Sequence, residues 1–228
     1  MVSFTLPRTP KVVTVLHSTI LEPGFHEQSV RYWGARALRY RCDAVVFISH
    51  AQRAYWQANY QIGPETGVVI WNGVNTTHYS PRLSGGERMK ERAQCGFCTE
   101  DFVVACCAAM RPEKCHRDLL CAVETLMHRG HKVKLLLIGD GPERAGLEQW
   151  MSDHGITRHC VITGFQSDVR PFLEMADVVV LSSRTEGFPL SILEAMSIVK
   201  PVVAPAIGGI PEQIEAGIAG YTYKVGDV

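Results

Sequence analysis

The sequence predicts an α/β protein with two blocks of parallel strands, each covered by helices. Apolar, strand-like segments alternate with segments whose apolar residues recur at helical spacing, which is typical of a parallel sheet flanked by helices. Between about residues 75 and 96, serine, proline, glycine and charged residues interrupt this alternation. We therefore predict a first domain over residues 1–80 and a second domain over residues 81–228.

The first block is short. Its predicted strands cover residues 11–16, 43–49 and 66–71, and its predicted helices cover residues 27–41 and 51–59. Three strands are few for a doubly wound sheet, so we expect this first domain to be incomplete.

The second block is longer, and a short charged helix near residues 87–92 leads into it. Its predicted strands cover residues 102–108, 132–138, 160–163, 176–181, 201–204 and 221–223, and its predicted helices cover residues 115–129, 142–154, 168–175, 189–198 and 211–215. The chain stops soon after the last strand with no closing helix, so we expect this domain to be truncated at its end.

Composition narrows the class of protein. The chain has 228 residues, 46% of them hydrophobic, and no formal net charge. This is enough for one large core or two modest ones, and the lack of a basic excess argues against a nucleic-acid partner. No apolar run approaches the roughly 20 residues that a membrane span needs. The N-terminus shows no apolar signal core with a cleavage site, so we expect a cytoplasmic location.

Eight cysteines are present, and two of them, Cys95 and Cys98, have the spacing of a redox or zinc motif. A zinc site would need a second pair of ligands, and no other CxxC or close histidine pair supplies it. We therefore predict free thiols in a reduced compartment and no bound metal.

Two carboxylates form the most informative pattern. Glu186 and Glu194 lie eight positions apart, the first directly after an apolar strand and the second about two turns into the next helix. Gly187 and Pro189 separate strand from helix. In open α/β sheets ligands bind at the carboxyl ends of strands, and a helix N-terminus there offers N–H groups to an anion. A solvated pair of surface acids is the ordinary alternative.

Other loops are expected at the same edge of the second sheet. Arg111 and Lys114 follow a strand and suit a diphosphate, unless they are only an exposed basic pair. The backbone at Gly164 is a candidate for reading a nucleotide base, although a plain turn is an equal alternative. The pair Gly208 and Gly209 would let backbone N–H groups approach a phosphate.

The segment from Ser183 to Met196 resembles the E-x7-E signature of family 4 glycosyltransferases. These enzymes have the GT-B architecture, in which two Rossmann-like domains face each other across a cleft. Segments 207–212 and 216–221 fall where that family places its nucleotide-sugar loops, and segments 42–49 and 71–75 resemble its N-terminal domain. The resemblance covers nearly the whole chain.

The resemblance implies a donor sugar linked to UDP, GDP or ADP and transfer with retention of the anomeric configuration. Glu194 would accept hydrogen bonds from the ribose, Glu186 would contact the donor sugar, and Lys114 would neutralise charge on the departing diphosphate. His17 would touch the sugar or the acceptor from the other domain. The further substrate-binding residues would be Arg111, Gly164, Phe165, Gly187, Phe188, Pro189, Leu190, Gly208 and Gly209.

No metal or other cofactor is expected, because cations and helix N–H groups can stabilise the leaving group and no Asp-x-Asp motif occurs. The chain departs from the family pattern at Ala109, where arginine is often found, and at Cys115, where glycine or asparagine is often found. The acceptor would be a glycan or a lipid-linked molecule in polysaccharide, lipopolysaccharide or glycolipid assembly, with peripheral membrane contact through segments outside this chain.

Other functions remain as alternatives. A nucleotide-sugar-binding module without turnover would bind a nucleoside diphosphate but would neither hydrolyse nor transfer the sugar. A GT-B relative that performs epimerisation or phosphorolysis fits the two-glutamate loop less well. A nicotinamide dehydrogenase is disfavoured, because no G-x-G-x-x-G opens a βαβ unit in this sequence.

Overall fold

A computed structural model describes residues 11–17, 42–60, 63 and 67–227. The chain divides into two compact units, Met1–Trp71 and Asn72–Val228. Within the described residues, no helix is both long enough and apolar enough to cross a membrane. The predicted helix over residues 27–41 lies outside the described part of the chain.

The described part of the first unit is a parallel sheet in the order β1-β2-β3 with one helix. Its elements are β1 (Val13–Leu16), β2 (Ala44–Phe47), α1 (His50–Tyr60) and β3 (Gly67–Val69). The side chain of Gln52 ties α1 to the sheet, because its amide nitrogen donates to the Leu16 carbonyl (3.0 Å) and its oxygen accepts from the Ile48 N–H (2.8 Å). This contact fixes the end of β1, directly before His17.

The second unit contains a six-stranded parallel sheet in the order β6-β5-β4-β7-β8-β9. Its strands are β4 (Phe102–Cys107), β5 (Val133–Ile138), β6 (Cys160–Ile162), β7 (Val178–Val180), β8 (Val202–Pro205) and β9 (Gly220–Tyr223). Its helices are α2 (Gly85–Gln94), α3 (His116–His128), α4 (Arg144–Asp153), α5 (Arg170–Met175), α6 (Leu190–Ser197) and α7 (Ile210–Gln213), with 3₁₀ turns at Pro112–Lys114 and Thr157–His159. The predicted α/β class with parallel sheets is confirmed.

The strand order reverses direction at β4. β5 and β6 lie on one side of β4. β7, which comes next in the sequence, pairs with β4 on its other side, and β8 and β9 follow beyond β7. Open α/β sheets bind their ligands at such a reversal, outside the carboxyl ends of the strands. The loops after β4 and β7 therefore flank the expected binding position.

The central strands form the hydrophobic core of the second unit. Residues along β4 and β5 are almost continuously buried, as is usual for strands covered by helices on both faces. The fully buried side chains on these two strands are Val103, Ala105, Cys106, Leu135, Leu136, Leu137 and Ile138.

The structure places the boundary between the units after residue 71 rather than after residue 80, because the intervening segment is bonded to the second unit. The amide of Asn72 donates to the Phe188 carbonyl (3.0 Å). Further along, the buried carboxylate of Glu174 accepts from the backbone N–H groups of Arg82 (2.8 Å) and Leu83 (2.7 Å). These contacts make residues 72–84 part of the second unit.

Helix α2 begins with a capping box, in which Ser84 and Glu87 exchange side-chain to backbone hydrogen bonds. Farther along this helix, Arg88 and Arg92 both pair with the carboxylate of Asp177, at 2.6 Å and 2.7 Å. Asp177 lies immediately before β7, so the charged helix predicted near residues 87–92 is present as α2 and is anchored to the sheet.

Candidate functional site

The site lies at the carboxyl ends of β4 and β7, which are neighbours in the sheet with Val104 opposite Val178. Lys114 ends the 3₁₀ turn that follows β4, and Glu186 lies in the loop that follows β7. Two residues that are 72 positions apart in the sequence therefore meet at one sheet edge.

Lys114 and Glu186 form an ion pair, with Nζ 2.6 Å from Oε1. The hydroxyl of Ser183 donates to the same oxygen, also at 2.6 Å. The Glu186 side chain is only 8% exposed and that of Lys114 is 22% exposed, so little water screens the pair. The carboxylate is thus held by a cation and a hydroxyl at once.

Two hydrogen bonds to backbone carbonyl groups join the loop after β4 to the loop after β7. The Ser182 hydroxyl donates to the Lys114 carbonyl (2.8 Å), and the Arg184 N–H donates to the Glu113 carbonyl (2.8 Å). Because both bonds join the same pair of loops, the positions of the lysine and of the carboxylate depend on each other.

Cys115 follows the lysine in a left-handed backbone conformation, with φ of 49° and ψ of 42°. Its thiol donates to the carbonyl oxygens of Pro112 (3.4 Å) and Glu113 (3.7 Å). Burial raises the pKa of this thiol, which disfavours the reactive thiolate. All eight cysteines lie in the described part of the chain, and they are free thiols as predicted.

Glu194 lies on α6 and is partly buried. Burial raises the pKa of its carboxyl group, and an interaction with the Tyr79 hydroxyl acts in the opposite direction. The helix begins at Leu190 after Pro189, and no side chain within the described residues caps it. Its first N–H groups therefore have no side-chain acceptor within the described residues, and they lie at the end of the loop that carries Glu186.

The loop between β8 and α7 lies directly against the two-glutamate loop. A side chain at Gly208 could not fit, because a Cβ there would lie 1.9 Å from the Glu186 carbonyl oxygen, and φ at this glycine is +51°. The N–H of Gly209 donates to the Gly187 carbonyl (2.7 Å). This differs from the predicted role of Gly209, since its N–H bonds within the protein instead of pointing to a phosphate.

The loops after β5 and β6 flank the site. Gly164 accepts a hydrogen bond from the Gly139 N–H (3.1 Å), and a Cβ on Gly139 would lie 2.3 Å from the Ala108 carbonyl oxygen. The loops after β4, β5 and β6 therefore lie side by side. Phe165 is 82% exposed at this edge, where its ring is available to a ligand.

The other residues predicted to bind substrate or to act in catalysis differ in their exposure and in the unit that carries them. Phe188 is buried and its carbonyl accepts from Asn72, whereas Leu190 is 47% exposed. Arg111 is exposed three residues before Lys114. His17 is exposed at the end of β1 in the first unit.

Three residues near the site escaped sequence reasoning, namely Tyr79, His116 and Ser183. Ser183 follows the apolar strand β7 by three residues and could have been noticed as a donor beside Glu186. Tyr79 sits in a segment with linker composition, and His116 carries no distinguishing pattern. Across the described ranges, no three His, Cys, Asp or Glu side chains are grouped as metal ligands.

Comparison with known proteins assigns the family. Residues 87–228 match the family Glycosyl transferases group 1, and residues 2–78 match Glycosyltransferase Family 4. The chain belongs to the Glycosyl transferases group 1 family, and the predicted membership of family 4 with a GT-B fold is confirmed.

Among curated relatives, the N-acetyl-alpha-D-glucosaminyl L-malate synthase of Bacillus anthracis is 27% identical over 95% of this chain and 55% of its own length. The GDP-mannose-dependent alpha-(1-6)-phosphatidylinositol monomannoside mannosyltransferase of Mycolicibacterium smegmatis is 30% identical over 91% of this chain and 56% of its own length. The chain thus spans about half the length of these relatives.

Among solved structures, Anabaena HepE in complex with UDP superimposes with a TM-score of 0.84 at 27% identity, over 95% of this chain and 59% of that chain. The same protein in complex with UDP-glucose gives a TM-score of 0.84.

Proposed function

We propose that the protein is a glycosyltransferase that moves a sugar from a nucleotide-sugar donor to an acceptor hydroxyl with retention of configuration. One observation carries this proposal: Lys114, Ser183 and Glu186 converge at the reversal point of the second sheet, beside the N-terminus of α6. A cation and a helix N-terminus at such an edge suit a diphosphate.

The leaving group would be held by positive charge. When the bond from the anomeric carbon to the β-phosphate oxygen breaks, the electron pair leaves with the nucleoside diphosphate, and Lys114 would stabilise the negative charge. Arg111, exposed three residues earlier, would supply a second cation in place of the arginine that the family often has at the position of Ala109. This arrangement would need no metal ion.

The sugar and the nucleoside would lie on either side of the diphosphate. The carboxylate of Glu186 would accept from the donor sugar, with the backbone of residues 187–190 beside it. Glu194 would accept from the ribose, and Gly164 with Phe165 would border the base. The likeness to HepE supports a nucleotide-sugar donor, because that protein is seen with UDP and with UDP-glucose.

The acceptor would be a glycan or a lipid-linked molecule. The M. smegmatis relative is named for phosphatidylinositol monomannoside, which is a lipid acceptor. A cytoplasmic location belongs to the same proposal, and so does a role for His17 at the sugar or the acceptor, which rests on the family resemblance.

A screen of nucleotides tests the donor class. Binding to the folded state raises the melting temperature by mass action, so we expect UDP, GDP or ADP and the matching sugar nucleotides to raise it. No shift with any of them at millimolar concentration would contradict the proposal. A shift without sugar hydrolysis or transfer would favour the binding module as the function.

Glu194→Ala tests the ribose contact. Loss of a charged hydrogen-bond acceptor costs about 1.5–3 kcal/mol, so we expect about ten- to hundredfold weaker nucleotide binding. Glu100→Ala is the matched control, since Glu100 is exposed in the turn just before β4, at the opposite end of the strands. Unchanged affinity in Glu194→Ala would remove Glu194 from the ribose site.

A further inference from the structure

Side-chain amides from two distant parts of the second unit hold the backbone of the loop between β7 and α6. The amide of Asn72, in the segment before α2, donates to the Phe188 carbonyl (3.0 Å). The amide of Gln213, at the end of α7, donates to the Pro189 carbonyl (3.0 Å). Two consecutive carbonyl groups are therefore held by residues that lie 116 positions before the one and 24 positions after the other.

A third hydrogen bond extends this series by one residue. The Gly209 N–H donates to the Gly187 carbonyl (2.7 Å). The three carbonyl groups of residues 187–189 thus all point to donors of the protein itself. Rotation of any of these peptide planes would break a hydrogen bond, so the series favours one orientation of the loop backbone.

The bonded carbonyl groups also determine where the next N–H group points. A trans peptide unit is planar, so the carbonyl of one residue and the N–H of the following residue point in opposite directions. Because the Pro189 carbonyl points to Gln213, the Leu190 N–H points away from it. Leu190 is 47% exposed, and its N–H donates to no acceptor among the described residues. This N–H is therefore an oriented donor without a protein partner, on the loop that carries Glu186.

The surroundings of Gln213 indicate that its bond to the loop is its main role. Gln213 is 8% exposed, and its Oε1 has no hydrogen-bond partner among the described residues. A buried polar atom without a partner lowers stability, so the stability of the fold gives no reason for a glutamine here. Its Nε2 has to face the Pro189 carbonyl, because two oxygen atoms in that place would repel each other.

We propose that Asn72 and Gln213 are positioning residues, which fix the backbone of residues 187–190 so that the Leu190 N–H faces the diphosphate of the donor. The inference rests on the proposed function, which places this backbone beside the donor. Neither amide carries a charge, so both residues act through the backbone and not on the phosphate directly. A donor group that is held in place before the ligand arrives needs less ordering on binding, which increases affinity.

Two substitutions test the two amides separately. Gln213→Met removes the amide and keeps the length of the side chain, and Asn72→Ala removes the other amide. We expect each variant to bind the nucleoside diphosphate that raises the melting temperature most about two- to tenfold more weakly, as for the loss of one hydrogen bond. Binding of the corresponding nucleoside should stay the same, because the nucleoside has no phosphate. NMR titration measures both affinities, including weak ones.

The matched controls remove the same amides at exposed positions outside the site. In Asn59→Ala, the lost amide donates to the Tyr55 carbonyl (2.8 Å), and in Gln149→Met, the lost amide donates to the Asp153 carboxylate (2.7 Å). Both controls should leave the affinities for nucleoside and diphosphate unchanged.

A second measurement follows the Leu190 N–H itself. With ¹⁵N-labelled leucine, its amide proton resonance should move downfield when the nucleoside diphosphate binds to the parent chain, as for a new hydrogen bond to phosphate. The movement should be smaller in Gln213→Met and unchanged in Gln149→Met. If Gln213 only stabilised the fold, its replacement would lower the melting temperature without reducing this movement. A diphosphate that binds the parent chain without moving the resonance downfield would overturn the inference.

The outcomes separate the two proposals. If no nucleotide binds to the parent chain, the proposed function fails. If the parent chain binds nucleotide but a variant binds the diphosphate like the parent chain, or loses affinity for nucleoside and diphosphate equally, the residue changed in that variant has no positioning role. If one variant does not fold, the other variant and the Leu190 resonance of the parent chain decide.

Discussion

The Nζ of Lys114 lies 2.6 Å from the Oε1 of Glu186, and this ion pair joins the loops that follow two neighbouring strands. Removing one partner leaves the other charge poorly compensated in a mostly buried place, which costs more than the pair contributes when intact. The two residues therefore have to be tested separately, and each substitution must be interpreted through its partner.

Lys114→Ala should weaken binding of the nucleoside diphosphate more than binding of the nucleoside, because only the diphosphate carries charge for the lysine to pair with. We expect about tenfold or greater loss for the diphosphate and little loss for the nucleoside. Isothermal titration calorimetry with both ligands measures the difference. Lys132→Ala, at an exposed position just before β5, is the control. An equal loss for both ligands would argue against a phosphate role.

Glu186→Gln should not weaken binding of the nucleoside diphosphate without its sugar, in contrast to Lys114→Ala. The amide oxygen can still accept from Ser183, but the negative charge beside Lys114 is gone. We therefore expect equal or up to about severalfold tighter binding of the nucleoside diphosphate, since a like charge near the phosphate has been removed. Calorimetry at low ionic strength checks this result, and a loss as large as that of Lys114→Ala would show that the intact ion pair is needed for binding.

The position of the site could be predicted from the sequence, because in a sheet of parallel strands the loops that follow the strands all lie at the same edge. An apolar strand, a Gly-Phe-Pro break and an amphipathic segment put Glu186 and Glu194 on either side of the β7–α6 junction, and the structure has α6 at Leu190–Ser197. Short elements were predicted less well. The helix expected over residues 211–215 is one turn, Ile210–Gln213, because so short a helix depends on its packing more than on its residues.

Contacts between residues that are far apart in the sequence could not be predicted from the sequence alone. Lys114 and Glu186 were each assigned to a ligand, and their direct pairing depends on the exact approach of two loops. The close approach of Gly208 to the Glu186 carbonyl is a similar case. Tyr79 was missed because its segment has the composition of a linker, and only tertiary structure brings its carbonyl oxygen to the Ser197 hydroxyl on α6.

Cys115 should tolerate only residues that accept a left-handed backbone. Its φ of 49° disfavours a β-branched side chain, so Cys115→Val should lower the free energy of unfolding by about 1–2 kcal/mol, whereas Cys115→Asn should stay within about 0.5 kcal/mol. Urea unfolding measures both changes. Cys121→Val, in the middle of α3, is the matched control and should cost less. Equal stability of Cys115→Val and the parent chain would show that the strain is absent in solution.

His116 should make the fold sensitive to acid. It is 3% exposed at the start of α3, and neither ring nitrogen has a hydrogen-bond partner among the described residues. Burial lowers the pKa of His116 from its usual 6.5 to about 4, and the positive charge of Lys114 contributes a smaller part of this shift. Because the folded state binds the proton more weakly than the unfolded state, stability is full above pH 6.5 and falls as the pH drops toward 4.

The contribution of His116 to this acid sensitivity is measurable by substitution. We expect the free energy of unfolding, from urea titrations, to fall by about 2 kcal/mol between pH 7 and pH 5 through this one group. His116→Leu should remove that share of the loss, because leucine has nothing to protonate, and it should not lower stability at pH 7, because the unpaired ring nitrogens are gone. His131→Gln, at an exposed position, should keep the full pH dependence. An unchanged pH dependence in His116→Leu would mean that the proton is taken up elsewhere.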